Sequence, residues 1–416
     1  MSTKVQSQKF IYECIDCGKQ FFTNDIIYLC PNCSKENSES MPPKGVLKVV
    51  YNFPELIKKN INFKDLSKNN FLELLPINQI KSLPKLKVGN TPLYEYNKLD
   101  NKDLPLSLFL KDDSQNPTFS FKDRASSIVS AFAKENDLNT IVAASTGNAG
   151  SSLAGICASQ GQKAIVMVPE TAPLAKLTQI IMYGATIVPV KGTYDDAFDF
   201  SIKATEEFGW YNRNTAFNPL TIEGKKTVSF EIFEQLNESI PDKVFVPVGD
   251  GVIISGVYKG FEDLLNLKMI DKIPVIVAVQ SEGSNNLIRN INNTNFEIKP
   301  SNTLADSISV DIPRNFYMAK YYIQKYKGEI LSVSDEKILE ASAVLSRNTG
   351  LFAEPAAATS FAGFLNYYTQ NKLDNNSKNV VLLTGSGLKD LKSVQKLLNI
   401  PESIEPTIDN LKKLIS

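Results

Sequence analysis

Short, β-branched apolar runs alternate with longer amphipathic stretches over most of this chain. Runs at 140–144, 164–168, 186–190, 244–248, 275–279 and 380–383, many of them bounded by Gly or Pro, read as strands buried on both faces. Between and after them, apolar positions recur at helical spacing near 150–159, 174–183, 194–208, 227–236, 253–267, 314–326, 336–347 and 356–368. This alternation predicts an α/β fold with open, helix-covered parallel sheets, whose ligand-binding loops lie at the carboxyl ends of the strands. No internal repeat or long low-complexity tract interrupts it.

Upstream, a segment rich in Ser, Asn, Glu and Pro (34 to about 45) reads as a linker, with helices around 54–60 and 70–75 before the main body opens at Gly89-Asn90-Thr91-Pro92. The expected organisation is a small N-terminal unit over 8–36, a linker and helical segment over 37–88, and a main body over 89–398. A smaller domain occupies about 135–240 of that body, and a tail follows over 399–416.

With 45 Lys plus Arg against 45 Asp plus Glu in 416 residues, no long-range field attracts nucleic acid or an anionic membrane, so any anion site is local. The chain has no histidine, which excludes a Ser-His-Asp triad, a Cys-His dyad and a histidine proton shuttle. Acid–base work falls to Lys, carboxylates, Tyr, Cys or a cofactor. The start of the chain is polar, without a signal-peptide run, and no stretch near 18 apolar residues occurs, so a cytoplasmic location is expected.

Four cysteines form Cys14-Ile15-Asp16-Cys17 and Cys30-Pro31-Asn32-Cys33, two C-x2-C pairs. Each pair places two thiolates on one tight turn, and two turns complete a tetrahedron around a structural Zn2+ with no open position. Disulfides are the alternative, disfavoured in a reducing compartment. Cys157, among apolar neighbours, reads as a small core residue.

The chemistry centres on Lys122 in Asn116-Pro117-Thr118-Phe119-Ser120-Phe121-Lys122-Asp123-Arg124. Pro117 disfavours helix at Asn116, while Ala125, Ile128, Val129 and Phe132 recur at helical spacing, so Lys122 falls at a loop-to-helix junction. There, burial beside Phe119 and Phe121 keeps an amine unprotonated enough to attack an aldehyde, as a Schiff-base lysine requires.

Downstream loops supply further parts of a pyridoxal phosphate (PLP) site. Ser145-Thr146-Gly147-Asn148 offers hydroxyls, an amide and backbone N–H groups for a carboxylate or a ring oxygen, with Asn148 the candidate for the cofactor's O3′. Gly249, Asp250, Gly251, Val252 and Ile253 form a glycine-rich turn into a helix suited to a phosphate, with the Asp250 carboxylate expected to turn away or cap the helix. Thr384 follows the last core strand, where a hydroxyl can bond a pyridine nitrogen without protonating it. The segment from Asn214 and Thr215 to Thr227 is polar, then glycine-broken, then helical, and is placed to close over a substrate.

In this order, Lys-Asp-Arg, Ser-Thr-Gly-Asn, Val-Gly-Asp-Gly and Thr-Gly-Ser-Gly-Leu-Lys-Asp resemble the fold-type II PLP enzymes (tryptophan synthase beta-like), threonine synthases most closely, from about 89 to 398. Asn218-Pro219, Glu223-Gly224, Lys226-Thr227, the run from Thr303 to Ile308 and Phe352-Ala353-Glu354-Pro355-Ala356 match as well, and some relatives carry a zinc-ribbon-like extension. The resemblance implies that Lys122 holds PLP, Asn148 contacts O3′, Gly249 to Ile253 cradle the phosphate, Thr384 faces the ring nitrogen, and Ser145 and Thr146 bind the substrate carboxylate. The implied reaction converts O-phosphohomoserine and water to threonine and phosphate, with Lys122 as the proton shuttle. A homodimer is suggested by the resemblance alone.

Two positions depart from the family pattern. Thr221 stands where many threonine synthases have an arginine that pairs with the substrate phosphate, leaving Lys225, Lys226, Arg213 or Lys176 as substitute cations, and Ser386 replaces a histidine. The other functions the residues allow are a related lyase or β-replacement enzyme (threonine or serine dehydratase, diaminopropionate ammonia-lyase, cysteate synthase) and, more remotely, a non-catalytic zinc-ribbon interaction protein.

Overall fold

The computed structural model describes residues 8–22, 27–38 and 41–415. The polar opening (1–7), 23–26 in the expected ribbon, 39–40 in the expected linker and the final residue of the tail lie outside the described residues. Strands β1 (Phe10–Cys14), β2 (Gln20–Phe21) and β3 (Leu47–Tyr51) make an antiparallel sheet in the order β2-β1-β3. The third strand thus comes from beyond the segment expected to be a linker, which folds back on the ribbon: Cys30 N–H donates to the Gly45 carbonyl and Gly45 N–H to Asp16. Helices Phe53–Lys58 and Phe63–Lys68 follow, the second started by an Asn62/Asp65 capping box, while the helix expected at 70–75 is only a short 3-10 turn, Leu72–Leu74.

The body begins with β4 (Leu93–Leu99) and β5 (Lys102–Asp112), continues through β6 (Thr140–Ala144), β7 (Lys163–Pro169), β8 (Thr186–Val190) and β9 (Tyr211–Asn212), and then through β10 (Lys243–Pro247), β11 (Val275–Ser281), β12 (Glu329–Val333) and β13 (Lys378–Leu383). A parallel four-stranded sheet, β8-β7-β6-β9, is inserted between the second and third strands of a six-stranded sheet, β12-β11-β10-β13-β5-β4, in which only the β4 edge is antiparallel. Covering helices bury both faces of the larger sheet. Val244, Val246, Ile276, Ala278, Val380 and Leu382 enter one core, and Phe245, Val277, Val279, Val381 and Leu383 enter the other.

Candidate active site

Lys122 is the first residue of helix Lys122–Glu135, so the loop-to-helix placement holds. Its two neighbours fasten that helix start. The Asp123 carboxylate accepts from the Thr118 backbone N–H (2.7 Å) and hydroxyl (2.5 Å), and Arg124 grips Asp113 (Nε–Oδ2 2.6 Å) and Glu231 (Nη1–Oε1 2.5 Å), all of them buried. Lys111 closes the cluster on Glu231 at 2.7 Å. Phe121 is fully buried, but Phe119 is 48% exposed because the turn holds it at a φ of 67° and aims its ring outward. The expected shielding by Phe119 is therefore absent. Burial still lowers the Lys122 amine's pKa, reinforced by Arg213 and opposed by Asp250 and Glu354.

Lys122 opens onto a cavity of about 520 Å³ lined by loops that follow strands of both body sheets. Ser145, Thr146 and Asn148 line it from the end of β6, Asn214 and Thr215 from beyond β9, and Asp250 from the end of β10. Strand-end loops thus bring most of the expected site together. Thr384 stands off this lining but next to Lys122 in space, its carbonyl accepting the Phe121 N–H at 2.9 Å. Of the expected glycine-rich turn, only Asp250 lines the cavity; Gly249, Gly251, Val252 and Ile253 are not among its lining residues.

The turn leads into helix Val252–Asn266, whose N-cap Gly251 has φ 85° and no side-chain cap. Any side chain there would be strained, and its β-carbon would stand 2.9 Å from Ala319 Cβ. The first helical N–H groups thus have no side-chain acceptor, as a phosphate site requires. Asp250 does not cap this helix as expected; it accepts from the Arg314 backbone N–H at 3.2 Å and stays at the cavity.

Two expected ligand residues are engaged inside the protein. The Asn214 carboxamide accepts from Ala144 N–H (2.8 Å) and donates to Ser201 (2.7 Å), tying the loop to the smaller sheet rather than leaving the amide for a substrate. Asn148 donates to both oxygens of Glu354, at 2.9 and 3.1 Å. Glu354 is the site residue that sequence reasoning missed, although its segment was among the matching ones. Burial raises its carboxyl to about 7, opposed by the Asn148 bond and by Lys122. Gly385, after Thr384, admits that carboxylate, since a β-carbon there would lie 2.5 Å from Glu354 Oε1. A lone acid just before a helix-starting proline was the available signal.

Among the four substitute cations the structure discriminates. Lys226 is consumed by Glu223 (2.5 Å) and Asp263 (2.7 Å), and Lys176 by Asp306 (2.7 Å). Arg213 lines the cavity and bonds Ser126, Thr215 and the Lys122 carbonyl, while the fully buried Lys225 amine has no hydrogen-bond partner. Thr221 is wholly buried, its hydroxyl donating to the Asn218 carbonyl at 2.8 Å.

Residues 85–385 match the family model described as pyridoxal-phosphate dependent enzyme. The threonine synthase of Methanocaldococcus jannaschii is 34% identical over 97% of this chain and 99% of its own length, and that of Bacillus sp. strain ULM1 is 35% identical over 85% and 99%. The chain belongs to the threonine synthases of the pyridoxal-phosphate dependent enzyme family. It is accordingly a PLP-dependent lyase, and the family's fold recurs in the solved processed form of threonine deaminase isoform 2 from Solanum lycopersicum (TM-score 0.67, 22% identity, 82% of this chain and 95% of that one).

This threonine synthase family member also keeps its four N-terminal cysteines together. Their sulfurs all lie within 4.8 Å of one another, with Cys14–Cys33 and Cys17–Cys30 each at 3.8 Å, and none is in a disulfide. Four thiolates about 2.3 Å from one tetrahedral centre stand about 3.8 Å apart. The ribbon packs against the body through several contacts. Tyr28 stacks on Phe217 at 4.6 Å and accepts the Asn212 N–H at 2.9 Å, while Tyr51 donates to Glu223 at 2.6 Å. Cys157 is buried with its thiol pushed up to about 12 by desolvation, as befits a core residue.

Proposed function

We propose that this chain converts O-phosphohomoserine and water to threonine and inorganic phosphate, with PLP carried on Lys122 and a structural Zn2+ held by Cys14, Cys17, Cys30 and Cys33. The observation that carries the proposal is a lysine with a lowered pKa, opening on a cavity that Asp250 also lines, two residues before an uncapped, glycine-led helix. The chain's own residues fit PLP: an amine at a helix start, a phosphate cradle at Gly249 to Ile253, and the Thr384 hydroxyl for the ring nitrogen. Asn148, held by Glu354, stands for O3′.

Bound PLP supplies an electron sink for a carbanion at Cα. Lys122 would remove the Cα proton and then one from Cβ as phosphate departs from Cγ, return a proton to Cγ before water adds at Cβ, and finally reprotonate Cα; no histidine is available to share that work. Ser145 and Thr146 take the substrate carboxylate, and Thr215 faces the same space. The four sulfurs at tetrahedral spacing suit zinc and leave it no open position. No helix among the described residues is long and apolar enough to cross a membrane, and we place the enzyme in the cytoplasm. A homodimer rests on family resemblance.

The test is incubation of PLP-loaded protein with O-phosphohomoserine, O-phosphoserine, threonine and serine, following phosphate, threonine and keto acid. Phosphate and threonine in equal amounts from the first substrate alone is the expected result. Keto acid from threonine or serine, with nothing from O-phosphohomoserine, would make the protein a dehydratase instead.

A further inference from the structure

The ribbon and the candidate active site share a loop. Arg213, Asn214 and Thr215 line the cavity onto which Lys122 opens, and the residues that flank this stretch, Asn212 and Phe217, are both held by one side chain of the ribbon. The Tyr28 hydroxyl accepts the Asn212 N–H at 2.9 Å, and the Tyr28 ring stacks on Phe217 with centroids 4.6 Å apart and planes within 16° of parallel. Tyr211, just before Asn212, lies against the same ring at 6.0 Å.

Both ends of the loop need what Tyr28 supplies. Strand β9 is an edge of its sheet, so its alternate N–H groups meet no neighbouring strand: the Arg213 N–H bonds the Val142 carbonyl of β6, and the Asn212 N–H points the other way. Asn212 is wholly buried, which makes an unpaired N–H there costly, and the ribbon provides the acceptor. Farther along, Ala216 is buried at a φ of 64°, a left-handed conformation that a residue with a β-carbon keeps only where its surroundings over-determine it. The next residue, Phe217, is the one that Tyr28 stacks on. Tyr28 is fixed in turn from the ribbon side, where Leu29 bridges Val46 and the Cys30 N–H donates to the Gly45 carbonyl.

We propose that Tyr28 is a positioning residue of the active site, holding both ends of the loop over 212–217 so that Arg213 and Thr215 keep their places at the cavity. Within the loop, Arg213 bonds the Thr215 hydroxyl at 3.2 Å and the Lys122 carbonyl at 3.4 Å, so a shift that begins at Asn212 reaches the groups that face the substrate. Without the Tyr28 acceptor, fewer molecules hold the loop in its competent shape. The apparent affinity for substrate then falls by that fraction, while the complex that does form turns over as before. The inference rests on the proposed reading of this cavity as the substrate site, and it gives the ribbon a part in that site.

Tyr28→Phe keeps the stack and removes the acceptor, whereas Phe217→Leu keeps the acceptor and removes the stack; both are compared with the wild-type holoenzyme. Tyr51→Phe, which cuts a different tie between ribbon and body, is the control. Zinc, bound PLP, kcat and KM for O-phosphohomoserine are measured, together with the fluorescence emission of Trp210, the chain's single tryptophan, two residues before Asn212. The inference expects full zinc and PLP throughout. It also expects a KM raised at least about 5-fold in Tyr28→Phe and Phe217→Leu, with kcat within about twofold of wild type and a shifted Trp210 emission, while Tyr51→Phe leaves KM within about twofold. A KM within twofold of wild type in Tyr28→Phe overturns it. So does a fall in kcat at unchanged KM, the mark of a contact that only lowers the folded fraction, or an equal rise in KM in Tyr51→Phe. Loss of PLP under conditions that saturate the wild type overturns it too, since the loop would then serve the cofactor. Should Tyr28→Phe lose its zinc, Phe217→Leu, which leaves the ribbon sequence intact, decides alone by the same criteria. If the wild type makes no threonine from O-phosphohomoserine, the proposed reaction fails; the inference is then decided by Trp210 emission in the PLP-loaded variants, a shift upholding it and an unchanged spectrum overturning it.

Discussion

Replacing Arg124 with Met removes the centre of the buried cluster that fixes the helix start bearing Lys122. In the native protein the guanidinium makes two bonds to Asp113 (2.6 and 2.9 Å) and two to Glu231 (2.5 and 2.8 Å). Without it, Glu231 keeps Lys111 at 2.7 Å, but Asp113 keeps only Thr91 (2.7 Å) and Asn116 (3.0 Å), so one carboxylate is stranded without a cation. Stranding a buried charge costs about 3–5 kcal/mol. An unfolding entropy of about 2 cal/mol/K per residue converts this to a Tm lower by roughly 3–6 °C for a chain of this length. Adding Asp113→Asn removes the stranded charge, and the double variant should regain about 1–2 kcal/mol over the single one. Urea and thermal unfolding of wild type, single and double variants measure both quantities. A single-variant loss under about 1 kcal/mol, or a double variant less stable than the single, would refute the assignment of Arg124 as the anchor.

Three further outcomes follow from the same structure. Glu354 has its carboxyl raised from 4.5 to about 7, so the native state holds a proton that the unfolded chain loses first, and cofactor-free stability falls as pH rises through that window. The loss is on the order of 3 kcal/mol, and Glu354→Gln should flatten the stability profile between about pH 5 and 7; an unchanged slope would count against the buried acid. Tyr51→Phe removes a 2.6 Å bond to the Glu223 carboxylate and should cost about 1.5–3 kcal/mol in denaturant unfolding, whereas a neutral result would mean that this contact does not hold the ribbon to the body. Metal analysis should find about one zinc per chain, lost in Cys14→Ser; retention of zinc by that variant would place the metal elsewhere.

Much of the body was legible because its strands are continuous apolar runs, buried on both faces, and its helices have strong period. The strands at 140–144 and 186–190 and the helix at 194–208 match the expected bounds, and the other expected strands differ by up to two residues at either end. The β4–β5 hairpin escaped notice for a physical reason. In β5, Leu104, Leu106, Leu108 and Leu110 alternate with Pro105, Ser107, Phe109 and Lys111, so its signal is a period of two rather than an apolar block. The ribbon's third strand was hidden in the same way, because Leu47, Val49 and Tyr51 face inward while Lys48 and Val50 do not, and only folding shows that the polar stretch before them returns to Cys30. Lys122 and most of the cavity-lining loops could be read from residue type and position at strand ends. What a side chain is bonded to could not: Asn214 is spent on β6 and Ser201, Asn148 on Glu354, and Lys226 on two carboxylates, whereas Lys225 is left alone.

The central claim is that Lys122, and not the buried Lys225 behind the cavity wall, carries the cofactor. Borohydride reduction of the PLP-loaded protein, followed by protease digestion and mass mapping of the pyridoxyl-labelled peptide, tests this directly. The label is predicted on the peptide containing Lys122, with no labelled peptide from Lys122→Ala. A label on Lys225, or stoichiometric labelling that survives in Lys122→Ala, would contradict the account.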